Sequence, residues 1–271
     1  PLRDDSLALR FAPIIVAGKQ DAPTEMLYRL SQDASGNIHI AYFIVWESEI
    51  NPAEGWGPFF SRWLYTGGLS LQKILFGPGD VEVIVMELAP SGSAEGQGYA
   101  LRGLSFETAI NYDPRAFGVQ HHTVRLKSLS PERLVPSAQQ IDSTFRLALD
   151  KHANGSATPS PGDDAEKGTA EVHVELPLRF RVMSWNHMFQ LVPNGTSSTG
   201  PMTGESTAAS LPGIISRESV PSSYREFRPG PAYFGQERWD HYRIFKPTES
   251  LLARNRAHPL FAREWVESSG P

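Results

Sequence analysis

Short runs of β-branched and aromatic residues, each bounded by turn-forming residues, constrain this fold more than any other feature of the sequence. The clearest runs are Asn37–Glu47 and Asp80–Leu88, and their composition is typical of strands that pack within a sheet. The chain also carries 23 glycines and 22 prolines, scattered along its length. Both residue types interrupt helices. The sequence therefore predicts a mainly β fold.

Further strands are predicted where apolar and polar residues alternate or where aromatic residues are dense. These segments are 121–126, 144–149, 171–182 and 183–192. Short strands separated by turn residues favour a β-sandwich. We expect a single domain over residues 1–271, because the strand pattern continues along most of the chain.

A few short helices and two long surface loops complete the predicted architecture. The best helix candidates are 24–32, 54–62 and 249–256. The segments 153–169 and 195–209 are polar and rich in turn residues, so they are predicted to be flexible surface loops.

Composition excludes several classes of function. The net charge is −5 and basic residues do not cluster, so no nucleic acid partner is expected. No apolar run approaches the roughly 20 residues of a membrane-spanning helix, so no transmembrane segment is expected. The absence of cysteine excludes disulfides, thiolate metal sites and thiol nucleophiles.

Sequons at Asn154 and Asn194 would permit N-glycosylation, which favours an extracytoplasmic or secreted location. No feature of the sequence indicates an oligomeric state.

Two carboxylates open the second of the clearest strands. Asp80 and Glu82 stand two residues apart, and residues i and i+2 of a strand point to the same face. That face also carries Ile84, Met86 and Leu88. Acids at the edge of an apolar face require a partner, which can be a metal, a base or solvent.

A cation would account for this pair if neighbouring strand ends converge on it. Glu47 closes the preceding strand, and His152 follows the strand predicted at 144–149. Three carboxylates and one imidazole favour a divalent cation, with Ca²⁺ or Mg²⁺ preferred. We therefore predict Asp80, Glu82, Glu47 and His152 as metal ligands. In the alternative interpretation, Asp80 caps the Gly-Pro-Gly turn and Glu82 pairs with an arginine.

A second candidate region is Trp185-Asn186-His187. Aromatic rings beside hydrogen-bonding groups are typical of sites for sugars or lipid headgroups, so we predict Trp185 and His187 as ligand-binding residues. A buried tryptophan beside a hydrogen-bonded histidine is the structural alternative. The chain has neither a Gly-x-Ser-x-Gly elbow nor a phosphate-binding glycine loop, and no catalytic residue is predicted.

Four short segments occur in an order that resembles the vacuolar protein sorting sixty-two family. They are Leu9-Arg-Phe-Ala-Pro13, Ile40-Ala-Tyr-Phe43, Gly79-Asp-Val-Glu-Val83 and Lys151-His-Ala-Asn154. The layout is also similar to the necrosis- and ethylene-inducing peptide-like proteins. That resemblance implies a secreted β-sandwich that binds a divalent cation and a sphingolipid headgroup.

Carried over residue by residue, the resemblance implies that Asp80 and Glu82 hold the ion. His152 matches the later histidine of that site, and Glu47 is the nearest match to its aspartate. Gly77 and Gly79 stand where the toxins have histidines, so toxin activity is not carried over. The sequence is compatible with three functions. They are a cation-dependent binding module for a glycan or lipid headgroup, a metal-assisted hydrolase, and a scaffold in which Arg62 or Arg102 neutralises the two acids.

Overall fold

The computed structural model describes residues 2–47, 80–93, 96–113, 119–128, 144–149, 171–193, 213–215 and 220–234. Within these residues the chain forms one helix and twelve strands arranged in two sheets. The helix is α1 (Asp5–Phe11), and the strands are β1 (Ile14–Gly18), β2 (Glu25–Gln32), β3 (Ile38–Trp46), β4 (Asp80–Ser93), β5 (Gly96–Ile110), β6 (Gln120–Ser128), β7 (Thr144–Leu149), β8 (Glu171–Glu175), β9 (Arg179–Val182), β10 (Phe189–Val192), β11 (Tyr224–Phe227) and β12 (Pro231–Tyr233). The prediction of a mainly β fold is confirmed.

The larger sheet has eight strands in the order β12-β2-β3-β4-β5-β6-β7-β8. From β2 to β8 each strand pairs antiparallel with the next one in the chain, and β12 is added parallel to β2 at the edge. All nine residues of β3 are buried. This burial on both faces explains why its sequence is almost continuously apolar.

The smaller sheet has four strands in the order β10-β9-β1-β11. Strand β1 pairs parallel with β9 and antiparallel with β11. Residues of both sheets belong to one buried hydrophobic cluster. For example, the rings of Phe106 in the larger sheet and Phe180 in the smaller sheet lie 5.1 Å apart in an edge-to-face contact, which is a favoured aromatic arrangement.

Helix α1 packs on this core through one face. Asp4 caps its first turn, because the Asp4 carboxylate accepts a hydrogen bond from the Leu7 N–H at 2.9 Å. Ala8 and Phe11 are fully buried, and the Tyr42 hydroxyl donates to the Ala8 carbonyl at 2.7 Å. Within the described part of the chain, no helix is long and apolar enough to cross a bilayer.

Three details of the predicted elements are wrong. The strand predicted at 183–192 is a strand only over β10, and residues 183–188 form the turn that precedes it. The helix predicted at 24–32 is strand β2, which pairs with β3 along its whole length. The strand predicted at 171–182 is two strands, β8 in the larger sheet and β9 in the smaller sheet, separated at Leu176–Leu178. The other predicted helices, at 54–62 and 249–256, and the loops predicted at 153–169 and 195–209 lie outside the described residues.

Candidate functional site

Two of the predicted metal ligands, Asp80 and Glu82, lie on strand β4 at one end of the larger sheet. Strand β4 begins at Asp80, directly opposite Trp46, the last residue of β3. Glu82 stands opposite Ile44, which belongs to the main core cluster. Glu82 is only 7% exposed, so its carboxylate is largely removed from water.

Glu47 follows Trp46 directly, in a bend after β3, and is exposed. The backbone therefore brings Glu47 to the same sheet end as Asp80 and Glu82, although Glu47 precedes them by more than 30 positions in the chain. His152 lies outside the described residues. Its proposed role as a ligand stays a prediction.

The turn between β9 and β10, residues 183–188, comes to the same end of the molecule. His187 is fully buried, and its ring stacks on the Trp46 ring at 4.3 Å with an interplanar angle of 9°. The His187 Nε2–H donates to Asp21 Oδ1 at 2.8 Å, and the Trp46 indole N–H donates to the Asp21 carbonyl at 3.1 Å. Trp46 is therefore a neighbour of one predicted metal ligand, Asp80, and of one predicted ligand-binding residue, His187. We call this region, Asp21, Trp46, Glu47, Asp80, Glu82 and the turn 183–188, the polar end.

The turn is held in shape by its own side chains. The Ser184 hydroxyl donates to Asn186 Oδ1 at 2.6 Å and accepts a hydrogen bond from the Met188 N–H at 3.0 Å. His187 has a φ of 57°, in the left-handed region that non-glycine residues rarely adopt. This conformation is supported by the stacking of His187 on Trp46 of the larger sheet and by its hydrogen bond to Asp21 in the turn before β2.

A chain of hydrogen bonds ties the turn to β5 and β6. The Asn186 amide donates to His121 Nε2 at 3.1 Å, and the His121 Nδ1–H donates to Glu107 Oε2 at 2.9 Å. Among the described residues, Ser184 joins this chain through Asn186, and no hydrogen bond connects His121 with the Ser184 hydroxyl. The arrangement therefore positions the turn and gives no support for a serine nucleophile.

Trp185 is half-buried at the tip of the turn. Its backbone N–H donates to the Tyr112 hydroxyl at 3.3 Å. Burial raises the pKa of Tyr112 above its ordinary value, and the hydrogen bond from Trp185 opposes this only in part. Tyr112 is therefore a neutral phenol at physiological pH. The indole N–H of Trp185 is enclosed and has no hydrogen-bond partner among the described residues.

A second group of polar side chains lies at the opposite end of β3. Potential ligand atoms of Asp33, His39 and Glu87 all lie within 4.8 Å of one another. We call these three residues the Asp33 cluster. His39 pairs directly with Glu87 across β3 and β4, while Asp33 begins the turn that joins β2 to β3.

Hydrogen bonds fix the Asp33 carboxylate. Oδ1 accepts the backbone N–H groups of Ser35 and Asn37 at 2.8 and 3.0 Å. Oδ2 accepts the Asn37 side-chain amide at 2.8 Å and the His39 Nε2–H at 3.3 Å. Burial alone would raise the pKa of Asp33, but the bonds from Asn37, His39 and Ser35 outweigh it and hold this pKa below the ordinary 3.8. Asp33 is ionised at neutral pH.

Glu87, a member of the cluster, also pairs with an arginine. The Arg102 Nε lies 3.3 Å from Glu87 Oε1, and Arg102 Nη1 donates to Asn37 Oδ1 at 3.3 Å. Arg102 was one of two arginines considered as partners for Asp80 and Glu82. These contacts are made five residues beyond Glu82 along β4, towards the opposite end from Asp80.

Sequence reasoning did not identify the Asp33 cluster, because its ligand atoms come from one turn and two strands. The segment Asp33-Ala-Ser-Gly-Asn37 is a strong turn signal between two apolar runs. It predicts the β2–β3 hairpin once β2 is recognised as a strand. The pairing of His39 with Glu87 depends on strand register, which one sequence does not specify.

Comparisons with family models, with curated proteins and with solved structures give no match for this chain.

Proposed function

We propose that this protein is a cation-dependent binding module for a glycan or lipid headgroup, and that the polar end holds both the cation and the headgroup. Asp80, Glu82, Glu47 and His152 are the proposed ligands of a Ca²⁺ or Mg²⁺ ion. Trp185 and His187 belong to the proposed headgroup site. The resemblance to the necrosis- and ethylene-inducing peptide-like proteins is the origin of the ligand set.

One observation carries the proposal. Trp46 pairs with Asp80 across the strands and stacks on His187. One residue from each of two separately predicted groups, Asp80 and His187, is therefore a neighbour of the same aromatic residue. A headgroup bound beside the turn could reach a cation held at the start of β4.

The residues of the polar end have the chemistry that such a site requires. Carboxylate oxygens are the ligands that Ca²⁺ and Mg²⁺ prefer, and the low exposure of Glu82 reduces competition from water for an ion. His187 is buried and bonded to Asp21, so its part is to orient the turn. Trp185 has an exposed fraction, which makes its ring the surface on which a sugar would stack.

Thermal unfolding of chelator-stripped protein tests the cation site. An ion at about 100 times its Kd adds about 2.7 kcal/mol to the free energy of unfolding, so Ca²⁺ or Mg²⁺ should raise the Tm. Asp80→Asn and Glu82→Gln should remove that rise. Glu175→Gln is the matched control, since it removes an exposed carboxylate from β8 and should keep the full rise. A wild-type Tm that responds to neither ion would contradict the proposal.

Headgroup binding is measured separately, on a glycan array and on vesicles that contain a glycosylated sphingolipid. Binding should require the cation and should be lost in EDTA. Trp185→Ala should weaken it by about twofold to tenfold, as expected for the loss of one aromatic contact of 0.5–1.5 kcal/mol, and Trp185→Phe should retain most of it. Binding that is equally strong in EDTA would show that the cation takes no part.

A further inference from the structure

We propose that the Asp33 cluster is a second metal site, with the chemistry of a divalent transition ion such as Zn²⁺. It differs from the polar end in position and in ligand type. Its ligands would be His39 Nε2, one oxygen of Asp33 and one oxygen of Glu87, and water would complete the coordination.

The spacing between the first two ligand atoms fits such an ion. His39 Nε2 and Asp33 Oδ2 lie 3.3 Å apart, which is long for a hydrogen bond to a carboxylate. In a tetrahedral site with bonds of about 2.0–2.1 Å, neighbouring ligand atoms are separated by about 3.3–3.4 Å. An ion could therefore replace the proton between these two atoms with little movement of either.

The same two ligands are held in place before any ion binds. The His39 side chain is 6% exposed, and the Asp33 carboxylate accepts hydrogen bonds from Ser35 and Asn37. Outer partners of this kind orient metal ligands and strengthen binding. The backbone also fixes the spacing, because His39 belongs to the fully buried strand β3.

Glu87 supplies the third ligand and has room to move. It stands opposite Gly103 on β5, and a Cβ at position 103 would lie 3.1 Å from Glu87 Oε2. The glycine therefore leaves space for the carboxylate above the sheet. The three ligand atoms already lie within 4.8 Å of one another. A shift of about 1–2 Å would bring the Glu87 oxygen into contact with an ion held by the other two, and rotation of the glutamate side chain provides this shift.

Arg102 regulates this third ligand. Its guanidinium compensates the charge of Glu87 without the ion, and its side chain is 49% exposed. When an ion binds, Glu87 exchanges the guanidinium for the metal and Arg102 turns to solvent. Removal of Arg102 therefore takes away a competing positive charge and should strengthen binding, whereas removal of a ligand should weaken it.

The donor set selects the class of metal. An imidazole nitrogen with two carboxylates suits Zn²⁺ or another transition ion, whereas Ca²⁺ takes six to eight oxygen ligands. Zn²⁺ should therefore bind the Asp33 cluster more tightly than Ca²⁺ does. This preference separates the cluster experimentally from the polar end.

Titration calorimetry of chelator-stripped protein with Zn²⁺ tests the proposal. His39→Gln should weaken binding by more than about 100-fold, since even outer partners of metal ligands contribute 10–100-fold. Glu87→Gln should weaken it in the same direction, and Arg102→Gln should tighten it. His122→Gln is the matched control, because His122 lies on β6 away from the cluster, and the Zn²⁺ affinity should not change.

X-ray absorption at the zinc edge of the wild-type protein keeps the proposal testable if a variant fails to fold. One imidazole nitrogen among three or four light ligands is expected. Absence of Zn²⁺ binding, a spectrum with no imidazole, or an affinity that is unchanged in both His39→Gln and Glu87→Gln would overturn the proposal. None of these outcomes affects the proposed function, whose ion is Ca²⁺ or Mg²⁺ and whose ligands are at the polar end.

Discussion

The Asp33 side chain accepts several hydrogen bonds. Its carboxylate accepts hydrogen bonds from Ser35, Asn37 and His39, and together they lower its pKa against the opposing effect of burial. A lowered pKa means that the native state binds the proton less readily than the unfolded chain does. The stability that Asp33 contributes is therefore complete above pH 3.8 and is lost as the pH falls through the lower folded pKa.

We predict that Asp33→Asn reduces the free energy of unfolding at pH 7 by about 1–3 kcal/mol. An amide nitrogen replaces Oδ2 and cannot accept the hydrogen bonds from Asn37 and His39. The deficit should shrink as the pH falls below 3.8, because the unfolded wild-type chain then takes up the proton before the native state does. Urea unfolding at pH 7 and at several values below pH 4, in the presence of chelator, measures both effects. Asp113→Asn, an exposed acid after β5, is the control. A deficit that is the same at every pH would contradict this account.

Some residues of the polar end could be predicted from the sequence, and others could not. Asp80 and Glu82 are predicted as metal ligands because two acids open an otherwise apolar strand, and this role stays a prediction. Asp21 was missed, because it lies in a short polar turn before β2 and has no pattern of its own. Its contacts with Trp46 and His187 depend on how the two sheets pack, and no local spacing encodes that.

At the scale of elements, the segment 213–215 joins the smaller sheet to the larger one. It bonds to Leu191 of β10 at both ends, through Gly213 O and the Ile215 N–H. Gly213 has a φ of +77°, and a Cβ there would lie 2.7 Å from Val124 Cγ2. The backbone of this segment can approach the larger sheet closely only because residue 213 lacks a side chain.

Gly213→Ala should therefore reduce the free energy of unfolding through two separate effects. Left-handed backbone costs a non-glycine residue about 1 kcal/mol, and overpacking of a core site typically costs 1–3 kcal/mol. Gly36→Ala separates them, since Gly36 has a φ of +81° but its nearest neighbours to an added Cβ are at 3.9 Å. Gly230→Ala, with nothing within 4 Å, is the control. Denaturant unfolding should rank the losses as Gly213, then Gly36, then Gly230, and an equal loss at Gly213 and Gly36 would exclude the steric effect.

Elements were predicted correctly where strand-forming residues fill the segment, and incorrectly where pairing with a neighbouring strand determines the secondary structure. Strand β3 was predicted within one residue at each end, because β-branched and aromatic residues fill it. Strand β2 was predicted as a helix, since Glu25, Met26, Leu27 and Arg29 are good helix formers. Its pairing with β3 and the burial of six of its eight residues override that weak local preference.

At the scale of the whole molecule, the prediction of a mainly β fold is confirmed, because glycine, proline and strand-forming residues are distributed throughout the chain. The resemblance to the vacuolar protein sorting sixty-two family stays a prediction. The proposed function depends on which ends of the strands carry the polar residues. The β3–β4 register sets this arrangement, with His39 opposite Glu87 at one end and Trp46 opposite Asp80 at the other.

The two proposed sites should consequently act independently. His39 and Trp46 are seven residues apart on one strand, a distance of about 23 Å at 3.3 Å per residue. Their side chains also belong to opposite faces, since odd and even positions of a strand alternate. Sites separated by more than about 7–10 Å and without shared partners have additive effects within about 0.3–0.5 kcal/mol.

We predict that the double variant His39→Gln, Asp80→Asn loses the Zn²⁺ response and the Ca²⁺ or Mg²⁺ response together, while each single variant loses only its own. Thermal shifts with each ion, measured on the wild type, both single variants and the double variant, form a complete cycle. In the absence of metal, the losses in stability of the two single variants should sum to that of the double variant. A Ca²⁺ response that disappears in His39→Gln would show that both ions share ligands or that β3 couples its two ends, and either result would contradict two separate sites.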